Sequence, residues 1–264
     1  MNTQLTRREL LQKYALAGTT LAISGFASAL PIPQHESEKQ GKEKKEEKDP
    51  EVTATEDLMR EHGVIRRALL VYEETVPKLR KSASSVDPAA LHRTAQLFRT
   101  FGENYHERML EEQHIFPVIR KMNSELSRYA DILIAQHARG REITDYILAV
   151  TGSRRISVAH AEPLARVFES FVLMYANHAA REDTIIFPAW KTNYSNRQLD
   201  DLADEFEDIE HRMFGKDGFE DAEKTISGIE STLGFADLAQ FTPPPPPKPI
   251  GATHRVGSPL ARQR

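Results

Sequence analysis

From Thr55 onward, a mostly apolar seam recurs at steps of three and four, with one histidine in it: Leu58, His62, Ile65, Leu69, Tyr72, Val76 and Leu79. That period predicts an amphipathic helix, with Thr55 as its cap and Glu56 and Asp57 placed favourably in its first turn. A second helix opens at Asp87-Pro88, a capping residue followed by proline at the first helical position, and runs through Leu91, Phe98, Phe101, Tyr105 and Met109 to Phe116-Pro117. The third starts at Asn123-Ser124 and carries Leu126, Tyr129, Leu133, His137, Thr144 and Ile147 before a Gly, Ser and Arg loop over 151–157. The fourth shows Leu164, Phe168, Phe171, Tyr175, His178, Glu182, Ile185 and Ala189. A fifth begins at Ser195 with Leu199, Leu202, Phe206, Ile209 and Met213. Gly215 and Gly218 break it, and a last short helix runs from about Phe219 to Leu233. No stretch alternates as a strand would. The fold class is therefore all-α: an antiparallel up-and-down four-helix bundle with additional C-terminal helices packed outside it.

The two ends read differently. Thr6-Arg7-Arg8-Glu9-Leu10-Leu11, an apolar run from Tyr14 to Ala27 and the small residues Ala27-Ser28-Ala29 predict a signal peptide over 1–29. Its paired arginines resemble the signal of the bacterial twin-arginine (Tat) pathway, which exports folded proteins. That implies the Tat export machinery as a partner and a periplasmic or otherwise exported location. The run is too short and too rich in Gly, Ser and Thr for a good membrane span, so no stable span is expected after cleavage. Residues 30–52 form a linker dominated by Lys, Glu, Gln and Ser; 53–234 hold the helical bundle. Residues 235–264 form a tail whose Pro243–Pro247 run favours a stiff polyproline II spacer and whose end is expected to be disordered.

Composition narrows the chemistry. The formal net charge of −4 gives no footprint for nucleic acid, and the chain has no Cys. Thiolate zinc sites, Cys-ligated iron–sulfur clusters and disulfides are thereby excluded, and any metal must be held by imidazole and carboxylate. Such a donor set suits Fe, Mn or Zn better than Cu(I).

Four histidines then stand out: His62, His106, His137 and His178 occupy or adjoin the apolar seams of four different helices. A core-facing stripe takes about three positions in seven, so chance would place all four on seams about one time in thirty. Burying four unpaired imidazoles is costly, and a bound metal removes that cost. His178 and Glu182 are four apart and share a helix face. On the second helix His106 and Glu111 are five apart, about 140° away from each other on an ideal helix. Sharing a metal would require a π-bulge there. Glu107 with Glu111, or Glu103 with His106, are the alternatives on that helix, and Asp183 is the local alternative on the fourth.

Taken together, His62 in Arg60-Glu61-His62-Gly63, His106 with Glu111, His137 in Gln136-His137, and His178 with Glu182 before Phe187-Pro188 resemble the hemerythrin-like (HHE cation-binding) domain. The resemblance covers roughly Thr55 to Trp190. It implies a non-haem di-iron centre whose carboxylates bridge the ions and whose histidines cap them; by ligand chemistry Mn is the alternative metal. The implied metal residues are His62, His106, Glu111, His137, His178 and Glu182; the implied partners are O2 or NO as small-molecule ligands. Family activities include reversible O2 binding, sensing of O2 or NO, and repair of iron–sulfur centres. Oxygen carriers take two histidines from the third helix, where this chain offers only His137; His211 or His114 would be the fifth. A di-iron redox enzyme, and a helical interaction module without functional metal, are the competing readings.

Overall fold

The computed structural model describes residues 52–247, and every regular element among them is helical. The signal peptide and nearly all of the charged linker expected above lie outside these residues, as does the end of the tail. Helix α1 spans Ala54–Lys81. Its N-cap is Thr53 rather than Thr55: the Thr53 hydroxyl accepts the Glu56 N–H, so the helix starts earlier than the seam alone suggested. Helix α2 covers residues 88–119, and Asp87 caps it by accepting the Ala89 N–H ahead of Pro88, as expected. Helix α3 is Ser124–Thr151, capped by Asn123. Helix α4 covers residues 158–191.

These four helices enclose one core. Tyr72 stacks on Phe168 with ring centroids 4.5 Å apart, and Phe98 meets Phe171 at 4.9 Å. Leu58, Leu91, Leu164 and Trp190 are fully buried between them. Helix α5 (Asn196–Phe214) begins with a reciprocal capping box, Ser195 with Gln198, and ends at Gly215, whose φ of 71° is a left-handed conformation that glycine adopts without strain. Helix α6 (Gly218–Leu233) follows, with Asp217 as its cap, so Gly218 is the first helical residue and not a second breaker. Both lie outside the bundle. Phe206 and Ile209 of α5 and Ile226 and Ile229 of α6 are buried, and Arg67 of α1 pairs with Glu230 at 2.6 Å. Beyond α6 the first residues of the expected tail are placed against the bundle: Lys78 sits 4.1 Å from the Phe235 ring centre, and Leu238–Phe241 form a 3-10 turn.

Two departures from ordinary α geometry position the site. Residues Phe98–Ile115 of α2 and Glu182–Ile186 of α4 hydrogen-bond five residues back. Each segment closes on a Phe-Pro pair: Phe116 N–H donates to the Glu111 carbonyl, and Phe187 N–H to the Glu182 carbonyl. Pro117 and Pro188 have no N–H, and their rings exclude an ordinary turn just before them. The wide turn also shifts the buried register by one residue. Leu110 is buried where Met109 was expected, and Ile186 and Trp190 replace Ile185 and Ala189.

Candidate metal centre

The π geometry of α2 answers the spacing problem posed by its sequence. His106 and Glu111, five apart, come together with His106 Nε2 3.3 Å from Glu111 Oε1. On α4 the ordinary four-residue step serves, and His178 Nε2 lies 2.9 Å from Glu182 Oε1. His62 arrives from α1 with Nε2 3.5 Å from Glu182 Oε2 and 4.0 Å from Glu111 Oε1. His137 arrives from α3 with Nε2 3.3 Å from Glu111 Oε2 and 3.0 Å from His178 Nε2. All six residues predicted as ligands are buried and converge in the middle of the bundle.

The donors divide into two sets. His62 and His106 form one pair, with ring centroids 4.6 Å apart, and His137 and His178 the other, at 4.8 Å. Glu111 directs Oε1 at the first pair and Oε2 at the second; Glu182 directs Oε2 at the first and Oε1 at the second. Donor atoms of Glu111, His137, His178 and Glu182 all lie within 4.8 Å of one another, as do those of His62, His106 and Glu111.

Behind each imidazole a second polar group fixes the ring. Asp183 stands 2.7 Å from His62 Nδ1, Glu61 2.6 Å from His106 Nδ1, Glu112 2.9 Å from His137 Nδ1, and Gln136 2.9 Å from His178 Nδ1. Nδ1 is thus occupied outward and Nε2 is aimed inward, the arrangement that orients metal-binding histidines. Phe187 stacks on His62 at 5.4 Å and Phe116 lies 5.5 Å from His137, so the two Phe-Pro pairs also wall the site.

Burial alone would strip protons from these imidazoles, but the carboxylates outweigh it. His106 is raised well above the ordinary imidazole range by Glu111 and Glu61, and His62 is raised by Asp183 and Glu182. His137 is pushed up to about 10 by Glu107, Glu111 and Glu112. Conversely, burial would raise Glu111 and Glu182, yet the imidazoles hold the first below and the second well below the usual carboxylate range.

The remaining candidates fall elsewhere. Glu103 turns away from the central donors, accepting the Thr144 hydroxyl at 2.5 Å and pairing with Arg99. Glu107 instead accepts the Tyr175 hydroxyl at 2.6 Å and groups with Glu112 on the outer, Nδ1 side of His137, 3.9 Å away. Burial pushes the Glu103 carboxyl up to about 7. Asp183 is an outer partner of His62 and not part of the central set. His114 packs edge-on against Phe206 at 5.3 Å, and neither it nor His211 belongs to a donor group, so among the described residues no fifth histidine reaches the centre. Sequence reasoning did not find the outer partners Glu61, Glu112 and Gln136. Their one signal is that each adjoins a ligand candidate in the chain.

Residues 53–190 match the hemerythrin HHE cation binding domain. The chain belongs to that family. Uncharacterized proteins of Mycobacterium bovis and of two strains of Mycobacterium tuberculosis are each 40% identical to it over 241 residues, covering 90% of this chain and 91% of the relative. A span of that length necessarily takes in α5 and most or all of α6, beyond the family match. No solved structure matches the chain.

A cation fits the centre on the chemistry of the donors. Both oxygens of Glu111, both of Glu182 and Nε2 of His106 are buried and make no hydrogen bond of good geometry, although imidazole nitrogens stand 2.9–3.5 Å from those oxygens. Unsatisfied groups of this kind are costly, and a cation shared between them would satisfy all five. Two nitrogens bound at about 2.1 Å and at right angles would lie about 3.0 Å apart, as His137 and His178 do.

Gly140 of α3 supports this arrangement by what it lacks: a Cβ there would overlap the Tyr175 hydroxyl and crowd its ring. Gly140→Ala is expected to push Tyr175 off Glu107 and destabilise the bundle by about 1–3 kcal/mol, read as a lower melting temperature.

Proposed function

We propose that this chain is an exported protein that holds two non-haem iron ions and uses them to bind O2 or NO, as a carrier, scavenger or sensor. The observation that carries the reading is the double aim of the carboxylates, each giving one oxygen to each histidine pair. His62, His106, Glu111 and Glu182 would hold one ion, and His137, His178, Glu111 and Glu182 the other. When bound, an iron pair supplies a coordination position for a diatomic ligand. The chain's own residues orient and shield that position: the outer partners lock the imidazoles, and Phe116 and Phe187 restrict water. The iron-loaded, reduced protein is expected to change its visible absorbance when O2 or NO is added without a reductant. An unchanged spectrum with both ligands would reject this reading.

A redox enzyme is the second reading, favoured by the phenols of Tyr175 and Tyr105, whose hydroxyls donate to Glu107 at 2.6 Å and to Glu61 at 3.1 Å. Sustained O2 consumption in the presence of a reductant would select it.

Export rests on Arg7-Arg8 and the apolar run that follows. Among the described residues no helix is long and apolar enough to cross a membrane. Changing both arginines to lysine is expected to leave the protein in the cytoplasm. Unaltered export, measured by cell fractionation, would count against the twin-arginine route.

A further inference from the structure

The wiring around the centre occurs twice, once for each histidine pair. The residue after each central carboxylate backs the histidine of an opposing helix: Glu112, after Glu111, faces His137, and Asp183, after Glu182, faces His62. Four residues beyond each of those histidines an arginine neutralises the backing carboxylate: Arg141 pairs with Glu112 at 3.0 Å, and Arg66 with Asp183. The residue before each of the same histidines backs the remaining one. Glu61, before His62, faces His106, and Gln136, before His137, faces His178.

The repetition breaks at the last pair of equivalent places. Glu61 is a buried carboxylate, 1% exposed, whereas Gln136 is a half-buried neutral amide. A carboxylate behind an imidazole raises the basicity of the nitrogen that faces the metal, and an amide does so far less. Glu107 adds its charge to His137, 3.9 Å from Nδ1, but it is held by Tyr175 and Arg141. It does not back the other imidazole, His178, whose Nδ1 faces the Gln136 amide.

Resting on the two-ion reading above, we propose that the two positions are unequal, and that Gln136 makes the one held by His137 and His178 the weaker and more readily exchanged. The position held by His62 and His106, backed by two carboxylates, retains its ion.

The full-length chain, loaded anaerobically with ferrous iron, is mixed with a ferrous chelator, and release is followed by absorbance. Two phases of equal amplitude are expected, with rates differing about 10–100-fold, the usual effect of an outer partner. Crystals of half-depleted protein should show the anomalous iron signal beside His62 and His106. Gln136→Glu is expected to slow the fast phase about tenfold toward the slow one, and Glu61→Gln, the mirror change, to speed the slow phase by a similar factor. The slowing by Gln136→Glu is a gain that a merely damaged fold would not give. Two ions leaving in a single phase, or residual iron beside His137 and His178, would overturn the proposal. Failure to load iron at all would instead refute the two-ion reading on which it rests.

Discussion

Glu111→Ala is expected to abolish metal binding at both positions together, leaving close to no metal on a chain that still folds as a helical bundle. Glu111 is the residue whose two oxygens lie 3.3 Å from His106 Nε2 and 3.3 Å from His137 Nε2. Its loss removes an anionic donor from each set and leaves Glu182 alone against four imidazoles. His178→Ala removes a donor from one set only, so that variant should keep about one ion of the proposed two. Elemental analysis checks the metal content, and far-ultraviolet circular dichroism checks the fold. Equal losses from Glu111→Ala and His178→Ala would show that the carboxylate does not serve both sets.

The second large effect is on stability, and it has a sign in pH. In protein stripped of metal, His62, His106 and His137 hold their protons above the ordinary range because Asp183, Glu61, Glu107, Glu112 and the central carboxylates face them. Their ion pairs are fully stabilising below about pH 6.5, the ordinary imidazole value. That stabilisation fades as pH rises toward about 10, where His137 loses its proton. Glu111 and Glu182, held low, lose theirs instead as pH falls below the usual carboxylate range. Metal works against the imidazole trend, because each imidazole must release its proton to bind. The melting temperatures of loaded and stripped protein should therefore draw apart between about pH 6 and pH 9. With free ion about 100-fold above its Kd, binding adds about 2.7 kcal/mol, or roughly 5–10 °C for a domain of this size. A gap that stays constant or narrows as pH rises would contradict the proton–metal exchange.

Much of this centre was legible before any coordinates. The seam of α1 could be read residue by residue, and four histidines on four seams pointed to one meeting place. For His106 and Glu111, five apart, to share a metal the helix needed a π-bulge, with pairings through Glu107 or Glu103 as the alternatives; α2 has π geometry over Phe98–Ile115. The matching turn on α4 was hidden for a physical reason: His178 and Glu182, four apart, share a face on an ordinary helix, so nothing in their spacing asked for a distortion. Its trace is the displaced burial of Ile186 and Trp190, visible only once the helix is packed. The outer partners were hidden for a related reason. Neighbours on a helix point about 100° apart, so Glu61 cannot serve His62 and serves His106 on α2 instead. Which helix receives it depends on bundle geometry that no single helix encodes.

The most direct test of the central claim is the metal-to-protein ratio of the full-length chain purified from iron-replete cells, measured by elemental analysis. Two carboxylates that each face two histidine pairs predict about two irons per chain, falling to near none in Glu111→Ala. A folded bundle carrying one ion or none, with no further uptake when ferrous iron is supplied anaerobically, would contradict the account.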